Sequence, residues 1–351
     1  MALFGAYVGG FALAICISAS WLQWPLWLVA SSAGGLAGGL VWTAQGTYYS
    51  AVAAALASAT GKPAEVITGT LAGSFSFVFL SLEVLAKVCF SVLQHLHVPM
   101  HAIGVGYATL ACLPAAAMFV AKPLACVSGS KVLSSPMSAA AEHVHRMLSL
   151  WRDPTVWLLS PTNLTFGFCA AFMNGYVNGE LAAPELGASH VAMLSAMTPV
   201  VAAISSPVLG RASDWLGKGM VLAAGAGAFL SIALCILTLG CCRGWRWWIA
   251  VLFACHGVGR AVYESTNRAA FADNFRGERT SGAFANCALQ SNLAFAISFL
   301  LQGHWPMQSM ARTVAGLAVA TPVLYMATTA RRRSSAPEDG MQKPLSEASG
   351  A

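Results

Sequence analysis

Charge is the scarcest component of this sequence. Asp, Glu, Lys and Arg make up 9% of its 351 residues, where a soluble domain carries roughly a quarter. Hydrophobic residues make up 57%, and the mean hydropathy is +0.66. A chain so poor in charge has the lipid bilayer as its solvent. Chemistry-bearing patterns are lacking too. No phosphate loop, Rossmann glycine pattern or nucleophile–base pair stands out. The ten cysteines contain no CxxC spacing. Cys16, Cys89, Cys112, Cys169, Cys235, Cys255 and Cys287 lie inside apolar runs and read as small, soft packing residues. These gaps argue against an enzyme. No catalytic residue, metal site, disulfide framework or cofactor is expected, and nucleic acid is not an expected partner.

What is present is a series of long apolar runs. They fall at Ala2–Ser18, Leu22–Gln45, Val66–Leu93, His101–Val120, Val156–Asn178, Ala188–Leu209, Met220–Cys241, Trp247–Ala269, Gly282–Gly303 and Met310–Ala330. Each is close to the ~20 residues that a helix needs to cross a bilayer. They are too long and too continuous for the alternating strands of a membrane barrel. The expectation is an all-α polytopic membrane protein with about ten transmembrane helices, four plus six. The first run resembles a signal-peptide core in length, but no Lys or Arg precedes it, so it reads as a span.

The formal charge of +6 is not a nucleic-acid footprint, because the basic residues sort by loop. Lys62, Lys122, Lys131, Arg146, Arg152, Arg211, Lys218, Arg268, Arg276, Arg279 and Arg331–Arg333 fall on one side of the ten-span arrangement. Arg243, Arg246 and Arg312 fall on the other, with Glu180 and Glu185. Cytoplasmic loops collect Lys and Arg, so the first side and both termini are expected in the cytoplasm, of a plasma membrane or an endomembrane. Residues 1–120 form four spans. Residues 121–153 read as a cytoplasmic linker with a short helix near Ala139–Leu150. Residues 154–330 form six spans, and 331–351 read as a disordered tail. Gly5/Gly9, Gly34/Gly38, Gly35/Gly39 and Gly69/Gly73 have helix-packing spacing, with the GGLAGG run at 34–39 as the expected tight crossing. Asn163-Leu-Thr165 is a glycosylation pattern inside a span and should be unmodified. His95, His97 and His101 lack acidic or thiol neighbours and read as incidental.

One loop carries a motif. Gly210 to Gly219 reads GRASDWLGKG, or G-x-x-x-D-x-x-G-[KR]. Gly210 and Gly217 would allow a tight turn between antiparallel helices. Asp214 would cap the next helix or pair with a cation on a neighbour, latching the cytoplasmic face, with Lys218 completing the motif. This segment resembles the cytoplasmic-loop signature of the major facilitator superfamily. Two further segments resemble the Unc-ninety-three family within it. These are GGLVWTAQGTY, from Gly38 to Tyr48, and GVGRAVYESTN, from Gly257 to Asn267. Ala283-Phe284-Ala285-Asn286 is similar to a third segment of that family. The resemblance runs from Phe4 to about Ala330 and implies a major facilitator-type helical bundle. It aligns the first span with the third of twelve helices, so the first two would be absent, through a truncated gene model or as a reduced paralogue. It also places Arg260 where the family has an acidic residue. The second, fifth and eighth spans become cavity-lining helices carrying Gln45, then Asn163 and Asn174, then Arg260, Glu264 and Asn267. The flanking third and ninth spans carry Glu83, Lys87, Asn286 and Gln290.

Buried charge costs roughly 2.5–3.5 kcal/mol at mid-bilayer on insertion scales, so such residues normally face the bundle interior. Glu83 and Lys87 are four apart, as are Arg260 and Glu264. Each couple reads either as a self-neutralising ion pair or as a contact for substrate or proton. Two functions stay open. One is a carrier of an unknown small solute or ion by alternating access, with Pro199 and Pro207 kinking a gating helix. The other is a non-transporting accessory protein. The resemblance implies it, because that family includes a channel regulator and a trafficking partner of nucleic-acid-sensing receptors. Its partner would be a channel or receptor subunit beside the lipid bilayer.

Overall fold

A computed structural model describes residues 2–117, 136–239 and 244–334. The described residues are helical almost throughout. The helices are α1 (Ala2–Cys16), α2 (Ser20–Thr60), α3 (Thr68–His95), α4 (Met100–Ala117), α5 (Pro136–Ser149) and α6 (Pro154–Phe172). A π-helical stretch, Met173–Ala182, continues α6 into the short α7 (Ala183–Leu186). Then come α8 (Ala188–Trp215), α9 (Lys218–Leu239) and α10 (Ala250–Val262). A second π-helical turn, Tyr263–Asn267, leads into α11 (Arg268–Asn274), followed by α12 (Arg279–Leu301) and α13 (Met307–Ser334). Eight helices among the described residues are long and apolar enough to cross a membrane. The 15-residue α1 is shorter, and the path from α10 to α11 is interrupted by its π turn. Those two elements lie where the ten-span expectation has its first and eighth runs.

Several boundaries differ from the sequence expectation. The second span does not stop at Gln45. Helix α2 runs for 41 residues to Thr60, roughly 60 Å at 1.5 Å per residue and about twice the hydrocarbon thickness. Its extension is the alanine-rich stretch from Ser50 to Thr60, which favours helix by propensity. Gly61, at φ +66°, ends it in the left-handed conformation. Helix α13 carries Arg331–Ser334, so the chain departs from the expected tail there. Residues 335–351 lie outside the described residues, as do 118–135, which take in the end of the expected fourth span and the first part of the linker. Helix α5 and the 3-10 turn Leu150–Arg152 occupy most of the rest of that linker.

Burial is uneven. Within the apolar window of Pro154–Leu186, 78% of residues are buried, against 11% in Ser20–Thr60 and in Thr68–His95. The main core therefore lies among the helices after α5. Phe172, Met173, Leu181, Ile232, Ile236 and Phe253 form its centre. The earlier helices lean on that body. Helix α3 packs along α8, and α2 packs along α12. Gly73 makes the first contact close, because a Cβ there would lie 2.5 Å from the Ser206 carbonyl oxygen. Beside the second contact, α2, α12 and α5 border a cleft of about 1970 Å³.

Candidate functional site

The charged side chains inside the bundle meet where α2 and α3 face α10 and its π turn. Arg260, on α10, grips Glu83 of α3 with both prongs. Its Nη1 donates to Oε1 at 3.1 Å and its Nη2 to Oε2 at 2.6 Å. Two parallel charge-assisted bonds are the geometry for which a guanidinium is built. Lys87 Nζ lies 3.0 Å from Glu83 Oε1, so the i,i+4 couple on α3 forms. The couple expected between Arg260 and Glu264 does not form. Glu264 instead accepts from Arg268, whose Nη2 is 2.8 Å and Nε 3.2 Å from Oε2. A glutamate four residues before its cation is the better orientation on a helix, and the reverse order is weaker. Arg268 Nη1 also donates to Gln45 Oε1 of α2 at 2.7 Å, and its guanidinium lies 4.6 Å from the Trp42 ring centroid.

The charge sorting counts Arg268, near the end of the Trp247–Ala269 run, with the cations of the cytoplasmic loops. The structure corrects this: it is 8% exposed, within the bundle. The i,i+4 spacing from Glu264 was the signal that could have found it. Trp42 and His256 were also missed. His256 is buried one turn before Arg260, and its Nε2 has no partner among the described residues.

The amides divide. Asn163 of α6 donates to Gln290 Oε1 of α12 at 2.7 Å and accepts from Asn267 Nδ2 at 2.8 Å. Tyr263 stacks on Phe166 beside them, with its hydroxyl donating to Ser291 at 3.0 Å. These three amides form a buried polar layer inside the later helices. Asn286 does other work. Its Nδ2 donates to the Met147 carbonyl at 2.9 Å, and its Oδ1 accepts from Trp151 Nε1 at 2.7 Å. It ties the end of the linker to α12 and does not line the charged interior. Asn174 is exposed on the π stretch of α6, away from the network.

The loop motif builds a second polar contact, at one end of the bundle. Asp214 Oδ1 accepts from Gly69 N at 3.0 Å, and Oδ2 accepts from Thr70 N and Thr70 Oγ1, each at 2.7 Å. The first turn of α3 gets no side-chain cap from its own N-cap residue, Ile67. Asp214 thus caps α3 rather than the expected next helix, α9, and it meets the positive end of the α3 dipole. Lys218 lies 2.7 Å from Asp273 Oδ2 and 4.0 Å from Asp214 Oδ1, and donates to the Glu65 carbonyl at 2.8 Å. Asp273 in turn accepts from Thr68 Oγ1 at 3.0 Å. Gly217, at φ +86°, makes the expected turn. Gly210 does not: it lies inside α8, where a Cβ would meet the Gly69 carbonyl oxygen at 2.5 Å. Its role is a helix crossing.

Outside the spans, Glu65 pairs with Arg276 and Arg332, and Asp153 pairs with Arg279. Burial acts to raise the Glu65 carboxyl. A backbone hydrogen bond and the two guanidinium groups outweigh it and hold the pKa below its usual value. Asp153 is lowered in the same way, by Thr155 and Arg279 against the opposing effect of burial.

The fold and its buried charges define an integral, multi-pass membrane protein of facilitator type. The family model for the major facilitator superfamily matches residues 162–349, a little over half of the chain. The chain belongs to that superfamily. No curated protein shows significant similarity to it.

Proposed function

We propose that this protein carries a small solute or ion across the bilayer by alternating access. In this reading the helices before α5 rock against those after it. The observation that carries it is the nature of the contacts between the two groups. Glu83–Arg260, Gln45–Arg268 and the Asp214 cap on α3 all join an early helix to a late one through polar bonds. Such bonds break and re-form, and the apolar contacts beside them, Leu80 with Ala202, Ala203 and Ala261 and Tyr49 with Phe284, lie outside the main core of the later helices. Membership of the superfamily supports the same reading. The finer kinship, to the Unc-ninety-three family, rests on the sequence segments alone. Two of those segments meet in space: a Cβ on Gly46 would lie 2.2 Å from the Phe284 ring.

A test needs no knowledge of the solute. Ser76 is fully buried on α3, and its hydroxyl donates to the Glu264 carbonyl at 2.7 Å. In Ser76→Cys the thiol should react with maleimide only when α3 separates from the π turn. Asp214→Ala removes a helix cap worth about 0.5–2 kcal/mol. It should therefore raise the labelling rate of that thiol about two- to thirty-fold, read by mass spectrometry of its peptide. An unchanged rate would overturn the gating role of Asp214.

A second reading, an accessory protein for a channel or receptor, is favoured by the cleft between α2 and α12. Gly35, Gly38, Gly39, Ala285 and Ala288 line it, and the buried Ser50 and Ser281 hydroxyls beside them have no partner among the described residues. Small residues on both walls suit a partner helix. A chain whose Ser76→Cys thiol never reacts, under any gradient or latch substitution, would favour this reading over the carrier.

A further inference from the structure

The Lys87–Glu83–Arg260 cluster has one positive charge too many. Two cations face a single carboxylate. The other interior pair, Glu264–Arg268, is closed on itself, with side chains 7% and 9% exposed. The cluster is more open: the side chains of Glu83, Arg260 and Lys87 are 25%, 16% and 42% exposed. Ionised groups at that depth face a water-filled space rather than hydrocarbon. Arg260 Nε, the third nitrogen of the guanidinium, has no partner among the described residues.

We propose that this cluster binds a small monovalent organic anion, whose carboxylate takes the seat of Glu83 on the Arg260 guanidinium. Glu83 is itself a carboxylate docked on both prongs, so the structure displays the recognition geometry with an internal occupant. Lys87 makes the exchange feasible. It already holds Glu83 Oε1, so Glu83 keeps a cation when Arg260 turns to the incoming anion. Two cations then face two carboxylates and the excess charge is gone. A dianion would overshoot to the opposite sign. One turn before Glu83, Phe79 meets Trp42 edge-on, with ring centroids 5.0 Å apart. They offer an apolar wall to the body of the solute. This inference rests on the carrier reading for the purpose of the site, but its binding step is testable alone.

The test uses the purified full chain in a neutral detergent, with thermal unfolding followed by tryptophan fluorescence. Benzoate is the probe. Benzamide, benzylamine and inorganic phosphate are compared at equal ionic strength. Benzoate should raise the midpoint, and neither benzamide nor benzylamine should. Lys87→Gln should weaken benzoate about tenfold, and Lys87→Arg should restore it. Glu83→Gln, which removes the internal competitor and leaves the added charge, should tighten benzoate about tenfold. Opposite effects from two partners of one cluster are not expected of a structural ion pair. Stabilisation by benzylamine, a larger effect of phosphate than of benzoate, weaker benzoate binding in Glu83→Gln, or no response from the folded wild type would each overturn the proposal. Efflux from proteoliposomes separates the two claims. Benzoate that binds without crossing overturns the carrier and leaves the anion site standing. Benzylamine that crosses while benzoate neither binds nor competes overturns the anion site and leaves the carrier.

Discussion

Substituting one member of a buried ion pair strands the other. Glu264 and Arg268 are the clearest case, because both are almost fully enclosed and each is the other's only ionic partner among the described residues. Glu264→Ala leaves a guanidinium with one amide and one indole face for company. The expected cost is about 3–5 kcal/mol. Adding Arg268→Ala should recover much of it, because no lone charge then remains. Glu83→Gln, in a half-open cluster, should cost far less. Thermal unfolding of the three variants in detergent checks the order, and a double variant no more stable than Glu264→Ala would contradict it. The sequence showed that acids and bases sat in the spans, and it showed the Glu83–Lys87 spacing. It did not show that Arg260 reaches across to α3. That partner is set by tertiary packing, which spacing along one helix does not encode. Arg268 was lost for a simpler reason: it stands one residue before the edge of an apolar window, where a cation reads as a loop boundary.

Glycine spacing told part of the story at the level of the helices. Gly69 and Gly73 do form a close crossing, and its other side is Ser206 and Gly210 of α8. The GGLAGG run, the expected tight contact, behaves differently. Gly35, Gly38 and Gly39 have open space where a Cβ would stand, and only Gly34 is crowded, by the Tyr7 ring at 2.6 Å. Spacing reveals that a helix could be approached closely, not which face another helix takes. The contrast gives a paired prediction. Gly73→Leu would press a side chain onto the Ser206 carbonyl and the Gly210 Cα, backbone atoms that cannot yield except by parting the helices. It should lower stability by about 1–3 kcal/mol. Gly38→Leu should stay within about 0.5 kcal/mol. Fluorescence-detected size exclusion after heating compares the two, and equal losses would remove the crossing from the account. The long α2 was illegible for a related reason. Hydropathy dips at Gly46–Ser50, which ends the apolar run, and the alanine-rich Ala51–Ala59 beyond the dip carries the helix on.

Across the whole molecule, the described charged loops gather at one end. Glu65 with Arg276 and Arg332, Asp153 with Arg279, and Lys218 with Asp273 all lie where α3, α9 and α12 begin and where α11 and α13 finish. At the opposite end Glu185 accepts from Gly244 N at 2.8 Å, and Tyr176 bonds to the Trp305 carbonyl. The loop-by-loop sorting of Lys and Arg had separated these same groups, apart from Arg268. Charge bias is readable from sequence because each helix reverses the side of the next loop, whatever the packing between helices. From the excess of Lys and Arg, the Glu65 end is predicted to face the cytoplasm. Glu278 is exposed there, and Glu185 marks the far end. In right-side-out vesicles, an impermeant maleimide should label Glu185→Cys within minutes and leave Glu278→Cys unlabelled until the membrane is opened. In inverted vesicles the order should reverse. Labelling of both thiols from one side would break the bundle's two-ended arrangement. Labelling of Glu278→Cys alone in right-side-out vesicles would keep that arrangement but turn the Asp214 latch outward. The Ser76→Cys thiol would then be gated from the outer face.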